Sequence, residues 1–140
     1  MKLSKRKLQR IIREETRKVL SEDSTGVDMG RVLQLIKEEG ERFLRIEDLR
    51  GRVTVSQRHN VVDVEDSNLE YPITITAEES RRGGVLVEVG SEISVNYGRG
   101  SGLEKISYRD PEDIVNSRKL LDAITDHHII IDEFEESRRY

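Results

Sequence analysis

Cysteine is missing from this 140-residue chain altogether. That removes disulfides, thiolate zinc sites and cysteine nucleophiles together. Tryptophan is also missing, and four Tyr with two Phe leave few flat platforms on which single-stranded nucleic acid could stack. Only 34% of the residues are apolar and 37% are charged, so the core must be lean and the surface heavily solvated. No apolar run approaches the ~18–20 residues that span a bilayer, so no membrane role is expected. The basic N-terminus lacks the apolar stretch of a secretory signal. The expectation is a cytoplasmic protein, or one made in a cytoplasm and packaged elsewhere. The length suits one domain with a real core.

What is present is strongly segregated charge. The first twenty residues hold eight Lys/Arg against two acids, a net of +6. The remaining 120 hold sixteen basic and twenty-six acidic residues, a net of −10, and the whole-chain value of −4 conceals the division. A basic arm on an acidic body points to a partner for the arm: nucleic acid, an anionic surface or an acidic protein.

Residues 2–20 read as an amphipathic helix. Leu8, Ile11, Ile12 and Val19 fall on one side, while Arg6, Arg10, Arg13 and Arg17 recur at i, i+4, i+7 and i+11 on the other. Such a helix is marginal alone in water and needs the body or a partner to persist. Residues 21–27 have linker composition, which sets 1–22 apart from a single α+β domain over 28–131. Asp28 is placed to cap a second helix through about Ile46, with Met29, Val32, Leu33, Ile36, Phe43 and Leu44 on its apolar face. Gly40 shares that face, and Gly51 is placed to end the segment after Leu49.

From Arg52 to Tyr108 the period changes to two. Val53/Val55, Val62/Val64, Ile73/Ile75, Val85/Val87/Val89 and Ile93/Val95/Tyr97 alternate with polar residues, and Leu103–Tyr108 alternates likewise. The pattern predicts an antiparallel sheet of about five or six strands, covered on one face by helices. Pro72 marks the start of its strand or an edge. Asp110-Pro111-Glu112-Asp113 opens a helix running to about Thr125. Ile129-Ile130-Ile131 then reads as a short buried strand or docked tail, and 132–140 as a frayed C-terminal tail.

Candidate sites are few. The stretch Gly98-Arg99-Gly100-Ser101-Gly102 has phosphate-loop composition, but a strand-like segment follows it and no Gly-Lys-Ser/Thr is present, so it reads as a hairpin loop. Arg99 is the anion contact it offers. Asp126-His127-His128 with Asp132 falls short of the three or four ligands a zinc site needs, so no metal or other cofactor is expected. The two histidines read instead as a C-terminal cap. No nucleophile, base and orienter stand at recognisable spacing, which weighs against an enzyme unless distant residues converge. Arg6, Arg10, Arg13 and Arg17 are the candidate contacts to a partner or to nucleic acid. Against phosphates they would bind without sequence preference and with strong salt dependence.

The opening Met1-Lys2-Leu3-Ser4-Lys5-Arg6-Lys7-Leu8-Gln9-Arg10-Ile11-Ile12-Arg13-Glu14-Glu15 resembles a leader found on assorted proteins of marine tailed phages of the T-even-like type. The resemblance covers the first fifteen to twenty residues and none of the body. In that group such helices can address proteins to the assembling head, where a protease cuts after Ile/Leu-x-Glu. Ile12-Arg13-Glu14 fits this rule, as do Ile36-Lys37-Glu38 and Leu86-Val87-Glu88 within the body. The resemblance implies a virus-encoded accessory or structural protein, in host cytoplasm or virion, with a protein partner or further copies of itself. A nucleic-acid-associated regulatory module using the arginine stripe is the alternative.

Overall fold

The computed structural model describes residues 27–96 and 103–138. Asp28 opens helix α1, Met29–Ile46, its carboxylate accepting the Arg31 backbone N–H at 3.2 Å. The anticipated face is the one that packs: Val32, Leu33, Ile36, Phe43 and Leu44 are buried together with Leu35. The helix does not end at Gly51. Asp48 takes the left-handed conformation (φ 51°), and the Leu49 and Asp48 N–H groups bond back to the Leu44 and Arg45 carbonyls at 2.8 and 3.2 Å. That is a Schellman closure, built on Asp where Gly is usual. Gly51 instead opens the first strand, where a Cβ would lie 1.9 Å from the Glu65 carbonyl oxygen.

Five strands follow in the period-two region: β1 Gly51–Ser56, β2 Val61–Asp66, β3 Ile73–Glu79, β4 Val85–Gly90 and β5 Glu104–Tyr108. They form an antiparallel meander in order β1-β2-β3-β4-β5. The register sets Val53 opposite Val64, Val62 opposite Ile75, Ile75 opposite Val89 and Val87 opposite Ile106. Every apolar alternation therefore falls on one face, as the α+β reading requires. Pro72 lies just before β3, a central strand, where its missing N–H costs no ladder bond.

Five expectations fail. Ile93 and Val95 lie in no strand: Glu92–Asn96 forms a short helix, α2, because the Ser91 hydroxyl accepts the Ser94 N–H at 3.2 Å and caps it, and Tyr97 lies outside the described residues. The Asp110-Pro111 start is real, but it opens only a 3-10 turn, Pro111–Ile114. Asn116 then turns left-handed (φ 56°) and Ser117 caps afresh, its hydroxyl accepting the Leu120 N–H at 3.2 Å. The long helix, α3, therefore runs Arg118–Arg138. Ile129–Ile131 lie in its middle rather than in a strand, and 132–138 belong to it rather than to a frayed tail. Leu120, Ile124, His127, Ile131 and Phe134 are its buried stripe, so the histidines sit inside a helix instead of capping one.

α1 covers β1, β2 and β3, and α3 covers β3, β4 and β5, on the same apolar face. The opposite face carries Arg52–Glu65 at 2.6 Å, Asp63–Thr74 at 3.0 Å and Glu88–Lys105 at 3.8 Å. The helix expected over 2–20 and most of the expected linker lie outside the described residues.

Candidate functional site

The buried stripe of α3 carries one polar residue, His127, and it is 0% exposed. Around it three elements converge. The Ser94 hydroxyl of α2 lies 3.1 Å from His127 Nδ1, and the Ser91 hydroxyl lies 3.3 Å from that of Ser94. Glu104, from β5, presents Oε1 at 3.9 Å from His127 Nε2, too far for a hydrogen bond. Nε2 is buried and, among the described residues, has no hydrogen-bond partner. Burial pushes the imidazole below its ordinary range; the nearby Asp126 charge opposes this and is the weaker effect. Burial pushes the Glu104 carboxyl up, and Asp126 and Asp122 add to the rise, Asp126 also through a hydrogen bond.

Serine, histidine and glutamate in a line invite comparison with nucleophilic catalysis, in which a base takes the serine proton and an acid orients the base. Here Nδ1, not Nε2, faces the serine, and the acid stands beyond hydrogen-bond reach. Ser94 is 4% exposed, so a reacting carbonyl cannot approach its hydroxyl in this conformation. Ser91, also buried, links this chain to the surface. It lines a groove of about 350 Å³ with Thr74, Thr76, Glu88, Glu92 and Leu103. As arranged, the network caps α2 and seats it on α3.

His128, one residue on, faces the other way. Its Nε2 lies 2.9 Å from the buried Asp66 carboxylate, which also accepts the Asn68 N–H at 2.9 Å. Phe43 meets the imidazole edge-on at 5.4 Å between ring centres. A second buried acid, Glu39 of α1, accepts the Asn116 backbone N–H and pairs with Arg42 at 3.2 Å, tying α1 to the approach to α3. The Asp66–His128, Phe43–His128 and Glu39–Asn116 contacts each join parts of the chain distant in sequence.

Among the described residues no group of three or more His, Asp or Glu is arranged to hold a metal ion. None of their helices is long and apolar enough to cross a membrane. Arg6, Arg10, Arg13, Arg17 and Arg99, the contacts expected from sequence, lie outside the described residues. The sequence gives Ser91, Ser94 and Glu104 no role, and it offers His127 only as a metal ligand or a helix cap. The one signal for them was the position of His127 at helical spacing from Leu120, Ile124 and Ile131.

No protein-family model, curated protein or solved structure matches this chain.

Proposed function

We propose that this chain is a non-enzymatic accessory or structural protein, virus-encoded and part of a phage-like particle, in which the basic N-terminal arm docks the acidic body onto a partner. The observation that carries the reading is the charge division, +6 within twenty residues against −10 in the other 120. Its support from the body is chemical: Ser94 and His127 are buried, and the Ser91 hydroxyl serves to cap α2. The leader-like opening supports a packaging role for the arm. Mass spectrometry of purified particles tests this. The protein should co-fractionate with them, with an N-terminus either intact or beginning at Glu15, after Ile12-Arg13-Glu14. Recovery only in the particle-free fraction would overturn the reading.

The arginine spacing favours a second reading, in which Arg6, Arg10, Arg13 and Arg17 meet phosphates of DNA or RNA. Binding would then ignore sequence and fall steeply with salt. The acidic body repels the same polyanion, which ranks this reading second. Filter binding at two salt concentrations separates them, since a complex absent even at low salt eliminates the nucleic-acid account.

A further inference from the structure

The outward face of α3 carries acids in a regular row. Asp122, Asp126, Glu133 and Glu136 are all exposed, and the increments from 122 place them, with Ile129, along one stripe of the helix. The stripe extends ~21 Å at the helical rise per residue. At its centre Ile129 is 48% exposed, a large apolar side chain in an otherwise charged row. Among the described residues none of these four carboxylates makes an ion pair. Glu104 adds its carboxylate beside Asp126.

The arm carries the complementary row. Arg6, Arg10, Arg13 and Arg17 advance by 4, 3 and 4 residues, and so do Asp122, Asp126, Ile129 and Glu133. The increments read the same in either direction, so the spacing matches for a parallel or an antiparallel approach. We propose that residues 1–20 of this chain dock antiparallel on the outward face of their own α3, with Arg17, Arg13 and Arg6 against Asp122, Asp126 and Glu133 and the aliphatic stem of Arg10 across Ile129.

The connection selects this occupant. Arg31, in the first turn of α1, pairs with Glu112 at 3.2 Å, so α1 begins beside the 3-10 turn that leads into α3. Residues 21–27 can span at most ~24 Å when fully extended. That reach brings the Asp122 end of α3 within range of the arm, and in the antiparallel approach Arg17 meets that end first. Tethering raises the local concentration of the arm, so individually weak surface pairs suffice to hold it. In this position Leu8, Ile11, Ile12 and Val19 face away from α3 and stay open to a further contact.

The proposal rests on the reading of the arm as a docking element and names its resting place on the body. It is tested in the full chain by zero-length carbodiimide coupling of lysine amines to carboxylates at low salt, followed by peptide mass spectrometry. Within monomers, Lys18 should couple to Asp122 or Asp126, and Lys5 or Lys7 to Glu133 or Glu136. Yields should fall about tenfold at ~1 M salt, where screening acts within a few ångströms. The triple replacement D122R/D126R/E133R should abolish these couplings, and adding R6E/R10E/R13E/R17E should restore contact, read by salt-dependent shifts of the Ile129 methyl resonance. Couplings spread over carboxylates elsewhere, or found only between molecules, would overturn the proposal. Either result would leave particle association standing, and loss of particle association would leave these couplings unchanged.

Discussion

Single residues in this fold hold opposed protonation preferences a few ångströms apart. Burial holds the His127 imidazole below its ordinary 6.5, so the unfolded chain takes up the proton first. Its contribution to stability is whole above about pH 6.5 and is lost as pH falls from there towards the folded value. Glu104 has the opposite sign. Burial and the neighbouring Asp126 and Asp122 lift its carboxyl above the ordinary 4.5, so the folded state keeps that proton longer. Stability falls as pH rises from about 4.5 through the folded value, and the penalty persists at neutrality. Glu104→Gln should therefore raise the melting temperature at pH 7.5 and give no gain at pH 4; a loss at pH 7.5 that is absent at pH 4 would show that the carboxylate has a partner it needs. His127→Gln should flatten the decline in stability between pH 7 and pH 5.5. Gly40 gives a prediction of another kind. Replacing Gly with Ala inside a helix normally adds ~1 kcal/mol. Here the new Cβ would lie 2.8 Å from Val64 Cγ2 and 3.2 Å from Val53 Cγ2, both on stiff β-branched side chains. Overpacking of this type costs ~1–3 kcal/mol, so Gly40→Ala should destabilise by ~1 kcal/mol in urea unfolding. A gain in stability would show that β1 and β2 yield easily.

At the scale of elements, what could be read from the sequence was whatever depends on neighbours within one turn or one strand. The face of α1 and the alternations of the five strands were legible because burial on one side imposes period 3.6 or 2 directly. Ile93/Val95 misled because a five-residue helix is too short to display a period, and its cap is the Ser91 side chain. The Asp110-Pro111 signal was local and correct, but no local rule says that Asn116 and Ser117 will break and recap the chain. Three consecutive isoleucines suit a strand; in α3 they divide instead, Ile131 buried and Ile129 exposed. The candidate site was hardest to see, since Ser94, Glu104 and His127 come from three elements and only the fold brings them together. The end of α3 provides a test. Phe134 is buried, and the Glu135 carboxylate accepts the Glu70 and Tyr71 N–H groups at 2.7 and 3.3 Å, holding the approach to β3. Phe134→Ala should cost about 3 kcal/mol, the scale for removing a buried ring. Unchanged chemical denaturation would mean that this last turn is dispensable to the core.

For the whole molecule the central question is whether the arm belongs to the body's stability or only to its contacts. The sheet joins only consecutive strands, and the described core lies entirely at or beyond Val32. Its helices cover one face, and the main tertiary ties run between 31 and 135: Arg31–Glu112, Glu39–Asn116, Asp66–His128 and Glu70–Glu135. None of these needs the first 22 residues. If the arm rests on α3, it does so through exposed ion pairs worth ~0.2–1 kcal/mol each and screened by salt. Deleting 1–22 should therefore preserve cooperative unfolding and lower stability by ~1–2 kcal/mol at low salt. At ~1 M salt that difference should vanish, since charges there interact only over ~3 Å. Thermal and urea melts of the full and shortened chains at both salt concentrations check this. A shortened chain without a cooperative transition would place the arm in the core and remove the linker assignment at 21–27. A difference that persists at high salt would point instead to burial of Leu8, Ile11, Ile12 and Val19 against the body, because apolar contacts are not screened. That outcome would reverse the face by which the arm is held.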